Sequence, residues 1–243
     1  MTHAQFQLRF RQSFAGLLWA VVPPLATLGV AALVFHSVVH VDTGKTSYAV
    51  FAMAALTPWT FFANSLMFGV PSVVGNMHLV VRLPFPRAAL PLSMIGASLI
   101  DLGISAAIFV VFAYTMGNGL GLAALWFPVL VLIELALVVG IVLLASALNV
   151  FARDVRLAIP VLVQLWLFLT PVMYSLATVP GRLRFWYVAN PMTGVVESFR
   201  RILVTDRSPD ASVLVPAIVG AAVVLVAGTW YFSASERRFA DVI

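Results

Sequence analysis

Long, uninterrupted apolar runs dominate the chain and leave it few ways to fold. Six emerge, at residues 13–35, 48–70, 88–116, 122–150, 157–176 and 212–232. A helix needs about 20 apolar residues to cross roughly 30 Å of hydrocarbon. Lipid offers the backbone no hydrogen bonds, so spanning segments are helices or closed barrels. Barrel strands alternate apolar with polar residues, and these runs do not alternate. The chain therefore reads as an all-α integral membrane protein with six transmembrane helices. Composition agrees, with 62% of its 243 residues hydrophobic and 9% charged, against about 25% charged in a soluble domain.

No linker or internal repeat divides the sequence, so residues 1–243 form one transmembrane domain. Prolines at positions 23, 24, 58, 128, 160, 171 and 216 start or kink the spans. There is no cysteine, and the four histidines show no ligand spacing, so no metal site is expected. The N-terminus lacks the pattern of a cleaved signal, which predicts that the first span is retained. Residues 1–12 mix Phe6, Leu8 and Phe10 with Arg9 and Arg11, a composition suited to an interfacial anchor helix.

Charge placement sets the orientation. With six spans both termini share a side, which carries Arg9, Arg11, Arg82, Arg87, Arg153, Arg156, Arg237 and Arg238. The opposite side carries Lys45, Arg182, Arg184, Arg200, Arg201 and Arg207. All of the latter except Lys45 fall within residues 176–211, and without that segment the bias is strong and puts both termini in the cytoplasm.

The segment 178–205 has its own pattern. Asn190 suits a helix cap and Pro191 a first helical position. Met192, Val195, Val196, Phe199, Ile202 and Leu203 then share one helical face. Glu197 precedes Arg200 and Arg201 by spacings that allow helical ion pairs. At 1.5 Å per residue the helix reaches only about 20 Å, too short to span. With the basic, aromatic stretch before it, this predicts a re-entrant helical hairpin entered from the outer side. An interfacial amphipathic loop is the plainer alternative.

Two acids, Asp101 and Glu134, fall deep in spans, where carboxylates are costly and count as functional candidates. Folding spans three and four about the turn at 117–121 brings them within about one helical turn, close enough to share a proton. That feature favours a rival reading, a proton-coupled carrier or a membrane enzyme. The alternative is that both are neutral packing residues. The GKT at 44–46 lacks the first glycine of a phosphate loop, so ATP is not expected to bind this chain. Arginines split between two faces argue against nucleic acid.

Six stretches in order carry a resemblance: TPWTFFAN (57–64), VGNMHLVVRLPFPR (74–87), SALNVFARDVR (146–156), FLTPVMY (168–174), NPMTGVVESFRRIL (190–203) and ERRFADVI (236–243). Together they resemble the permease subunits of ATP-binding-cassette exporters for lipid-linked polysaccharides of the O-antigen and teichoic-acid group. The resemblance implies a homodimer in the bacterial plasma membrane, paired with two separate ATPase subunits that hold ATP and magnesium. A related permease for a drug or another lipid is the alternative within the same class. It also implies that the segment 76–91 meets the ATPase, with Asn76, His78, Arg82, Pro84 and Pro86 as coupling residues. Asn190, Pro191, Glu197, Arg200 and Arg201 become an outer gate. A lipid diphosphate calls for forked cations, here Arg82 and Arg87, with Arg9 and Arg11 behind them. A sliding glycan calls for aromatic faces that bind weakly enough to release. Phe14, Trp19, Trp59, Phe61, Phe62, Trp166, Phe168 and Tyr174 are the candidates.

Overall fold

A computed structural model describes residues 47–82, 85–117 and 119–239. The expectations placed on Arg9, Arg11, Phe14, Trp19, Pro84, the Arg82 side chain and the first span lie outside the described residues. Among the described residues the chain is helical, without strands. In order it forms α1 (Tyr48–Gly69), α2 (Ser72–Gly75), α3 (Met77–Arg82), α4 (Ala89–Thr115), α5 (Phe127–Phe151), α6 (Asp154–Leu169), α7 (Gly181–Ala189), α8 (Pro191–Val204) and α9 (Ala211–Glu236). Short 3₁₀ turns precede α5 at Leu122–Trp126 and α7 at Leu176–Thr178.

Among the described residues four segments are long and apolar enough to cross a membrane: Tyr48–Gly69, Ala89–Thr115, Leu122–Phe151 and Ala211–Glu236. They match the expected second, third, fourth and sixth spans within a few residues. The expected fifth span differs. Its helix starts early, at Asp154, and stops at Leu169, which gives 16 residues or about 24 Å. Thr170 is extended and Pro171 follows it, as expected where a proline disfavours helix at the preceding residue.

Local chemistry fixes the helix ends. Ser47 caps α1 and Asp210 caps α9, each side chain accepting from a backbone N–H two residues on. Gly117 ends α4 at φ 79°, a left-handed position that suits glycine. Asn149 closes the turn from α5 into α6, its side-chain oxygen accepting from the Arg156 N–H at 3.1 Å. Pro58 breaks the ladder inside α1, and the Thr57 and Thr60 hydroxyls donate to Met53 and Thr57 carbonyls beside the break.

The most extensive packing runs between α5 and α9. Glycine makes it possible: a Cβ on Gly140 would stand 2.5 Å from the Val224 carbonyl oxygen, and one on Gly228 would collide with the Gly140 backbone. In lipid, where apolar side chains gain little by meeting one another, such close backbone approach is what holds helices together. α4 packs chiefly along α1. α1 is buried along most of its length, and its Phe62 ring meets Trp166 of α6 edge-on and Trp59 on its own helix.

α9 gives the bundle two ends. At the Asp210 end lie the start of α1, the turn between α4 and α5, and the helices α7 and α8. At the Glu236 end lie α2, α3, the start of α4 and the turn between α5 and α6. Gly140→Val forces a side chain into backbone and is expected to cost about 1–3 kcal/mol. Gly103→Ala, with nothing within 4 Å of its Cβ, should leave stability unchanged or raise it. Thermal unfolding in detergent, followed by tryptophan fluorescence, separates the two.

Candidate functional site

The helices α7 and α8 meet at a single residue, Asn190, which ends one and caps the other. Its side-chain oxygen accepts from the Met192 N–H and from the Trp166 indole, both at 3.1 Å. Its amide donates to the Leu169 carbonyl at 3.3 Å and to the Thr170 hydroxyl at 3.0 Å. One polar side chain therefore starts α8 and fastens it to the end of α6.

Arg200 makes the second fastening. It is only 4% exposed. One guanidinium nitrogen donates to Glu197 at 3.1 Å and to the Tyr174 carbonyl at 3.3 Å. The other donates to the Pro171 and Val172 carbonyls at 3.0 and 2.9 Å. Phe51 of α1 lies flat beneath, its ring centroid 3.8 Å from the guanidinium carbon. The Tyr48 hydroxyl donates to the Met173 carbonyl in the same loop. The proline that ends α6 leaves carbonyls without helical partners, and Arg200 supplies the donors.

The two arginines of the expected cluster divide. Arg200, three residues on, takes Glu197, whereas Arg201 turns away to Asp210 at 3.2 Å and to the Ser208 carbonyl. Asp210 sits where the Ser212 N–H, the Ser212 hydroxyl and then Arg201 and Arg184 favour its charged form, so its pKa lies below the usual carboxylate value. Asp206, at φ 48°, reaches across to accept from the Ala123 N–H, over Gly121, where any Cβ would collide with it.

Beside Asn190, the helices α6, α7 and α8 enclose an apolar recess of about 550 Å³, lined by Leu162, Leu165, Trp166, Leu169, Trp186 and Tyr187 among others. Tyr174 and Tyr187 share a hydrogen bond at 2.9 Å at its edge. Burial first, then that bond, holds the Tyr174 phenol above its ordinary pKa.

Of the ring series, Trp59, Phe61 and Phe62 are packed into the core, Phe168 is exposed, and Trp166 and Tyr174 border the recess. Trp186 and Tyr187 join them there and were missed, because arginines around them read only as an interfacial belt. Asn76 and His78 lie at the α2–α3 junction and Pro86 just beyond α3. Arg87 donates its backbone N–H to the Glu236 carboxylate and its guanidinium to the Glu236 carbonyl.

The shared proton of Asp101 and Glu134 is not formed. Glu134 is fully buried with neither oxygen hydrogen-bonded among the described residues. α4 packs chiefly on α1 and α5 on α9. Glu134 lies two turns from Phe127 on the same face of α5, and Phe127 meets Phe199 of α8.

Residues 1–204 match the ABC-2 type transporter membrane family. The chain belongs to that family. Members are transport permeases rather than enzymes, and the ATPase is a separate subunit. The chain is 28% identical over 245 residues to the O-antigen export system permease protein RfbA of Myxococcus xanthus, covering 100% of this chain and 94% of that one. It is 24% identical over 244 residues to the protein of the same name from Klebsiella pneumoniae, covering 100% and 93%. With the polysialic acid transport protein KpsM of Escherichia coli it shares 22% over 205 residues, covering 81% and 76%. The family and the apolar helices make it a multi-pass protein of the inner membrane.

Removing Arg200 strands the Pro171, Val172 and Tyr174 carbonyls. Arg200→Met is expected to destabilise the protein by about 3–5 kcal/mol. Arg200→Lys should recover only part of that, because an ammonium offers three donors on one nitrogen where the guanidinium uses four on two; thermal unfolding reads both. Asp210, with its folded pKa depressed, stabilises the fold above the ordinary value of 3.8 and loses that contribution as pH falls through the lowered value. The melting difference between wild type and Asp210→Asn should therefore vanish in strongly acidic buffer and be full near neutrality.

Proposed function

We propose that this chain is the membrane-spanning half of an ATP-driven exporter that moves lipid-diphosphate-linked polysaccharide, of O-antigen or teichoic-acid type, out of the cytoplasm. Two copies would form the conduit, each with one cassette ATPase that holds ATP and magnesium. Both termini and the Glu236 end face the cytoplasm, and the Asp210 end faces outward. The names of the relatives support the cargo, and full-length coverage supports carrying it over.

The observation that carries the mechanism is the fastening of α8. A 14-residue helix, about 21 Å long, is lodged among the spans by a buried arginine and a capping asparagine. α7 and α8 would be the re-entrant outer hairpin, and Arg200 with Glu197 the bolt of the gate. The recess beside Asn190, walled by Trp166 and Trp186, offers apolar faces of the kind a passing glycan or its lipid needs. At the inner end the coupling residues Asn76, His78, Arg82, Pro84 and Pro86 would take the thrust of the ATPase. Arg82, supported by Arg9, Arg11 and the free donors of Arg87, would grip the diphosphate at entry.

The test is genetic and biochemical. A strain lacking this chain should lose surface polysaccharide and accumulate the lipid-linked polymer inside. Purified with its cassette ATPase in vesicles, the chain should export that polymer only with ATP. Unchanged surface glycan in the knockout, together with export of another lipid by the vesicles, would refute the cargo.

A further inference from the structure

The tail motif beginning at the last residue of α9 meets the segment before α4 at the inner end. Glu236 is the last residue of α9, and Arg87 stands two residues before α4. The Glu236 carboxylate accepts the Arg87 N–H at 2.9 Å, at the N-terminal end of α4. The Arg87 guanidinium donates to the Glu236 carbonyl, at the C-terminal end of α9. Each charge thus lies at the helix end whose dipole favours it. Phe239 is fully buried beside this clamp. It meets Phe232 at 5.4 Å and Phe151 at 5.9 Å, and Arg87 lies 6.0 Å from its ring. Val73 of α2, Leu90 of α4 and Leu143, Ala147 and Val150 of α5 complete a second core, separate from the main one, and Phe85 packs against it.

α9 runs 26 residues as one helix with Pro216 inside it, about 39 Å, and packs first on α5 and then on α8. Its Gly228 lies on the Gly140 backbone of α5. Higher up, Gly194 of α8 abuts the Val213 carbonyl and Ala217, and Pro191 abuts Gly220. At the top, Asp210 pairs with Arg201 of α8. A single helix joins the cytoplasmic segment around Phe85 and Arg87 to both ends of the outer hairpin's second helix.

We propose that Glu236 and Phe239 are positioning residues that seat this cytoplasmic segment, and that α9 is the strut carrying its displacement to α8. This rests on the reading of α8 as a gate and of residues 76–91 as the ATPase contact. A physical route of this kind needs a demonstrated change at both ends.

The chain has no cysteine, so a single thiol reports one place. Gly181, at the start of α7, has nothing within 4 Å of a Cβ, which makes Gly181→Cys a tolerant reporter. The complete complex with its ATPase is labelled with a thiol reagent, with and without ATP. In Glu236→Ala and Phe239→Ala the ATPase should remain bound and turn over ATP as in wild type. The ATP-dependent change in labelling should fall about fivefold or more. Glu236→Gln, which keeps an acceptor oxygen, and Phe239→Leu, which keeps the filling, should restore it. A full labelling change in Glu236→Ala overturns the strut. So does a loss that tracks release of the ATPase, or a Gln variant as defective as Ala. The readout needs no cargo: a wild-type complex that shows the change but moves no polysaccharide overturns the proposed cargo and leaves the strut standing. A wild-type complex with no change overturns the gate and the strut together.

Discussion

A guanidinium withdrawn from water depends on partners in the protein, and the arrangement of the Asp210 end of this permease follows from where Arg200 finds them. A charge at that depth without partners costs several kcal/mol. Glu197 neutralises it, three backbone carbonyls accept three more of its protons, the Nε–H has no acceptor among the described residues, and Phe51 lies on its flat face. Those partners come from α8, from the loop after α6 and from α1. Three segments far apart in sequence are therefore held by one side chain.

The carbonyls are available because Pro171 ends α6. Sequence and geometry reinforce each other here: a helix that ran on through residue 176 would have used the Pro171 and Val172 carbonyls itself. A short α6 and a buried arginine are two aspects of the same local solution. Asn190 repeats it from the other side, using the carbonyl of Leu169 and the hydroxyl of Thr170. α6 and α8 consequently share an anchorage at one level.

Much of this was legible in the amino-acid order. Hydropathy set four spans within a few residues, because burial of the backbone in lipid leaves little freedom in helix length. Asn190-Pro191 and the apolar face of α8 were readable from capping chemistry and periodicity. Glu197 was correctly placed beside two arginines, but spacing alone allowed both, and the choice of Arg200 depends on Phe51 and the Pro171 loop, which are remote in sequence. The Asp101–Glu134 pairing failed for a related reason: adjacency along a hairpin does not decide which helices pack, and the glycines at 140 and 228 draw α5 to α9 instead. Glu236 was seen only as part of a motif, since its partner lies 149 residues away.

The meeting of Gly140 and Gly228 has a mechanical consequence. Two backbones in direct contact leave no room between them for anything larger than hydrogen, so the spacing of the two helices is set at this crossing. Separation or splaying would open a void that lipid tails fill poorly. Such a joint acts as a gauge: it holds the two helices at one separation, and any Cβ added at either position would push them apart.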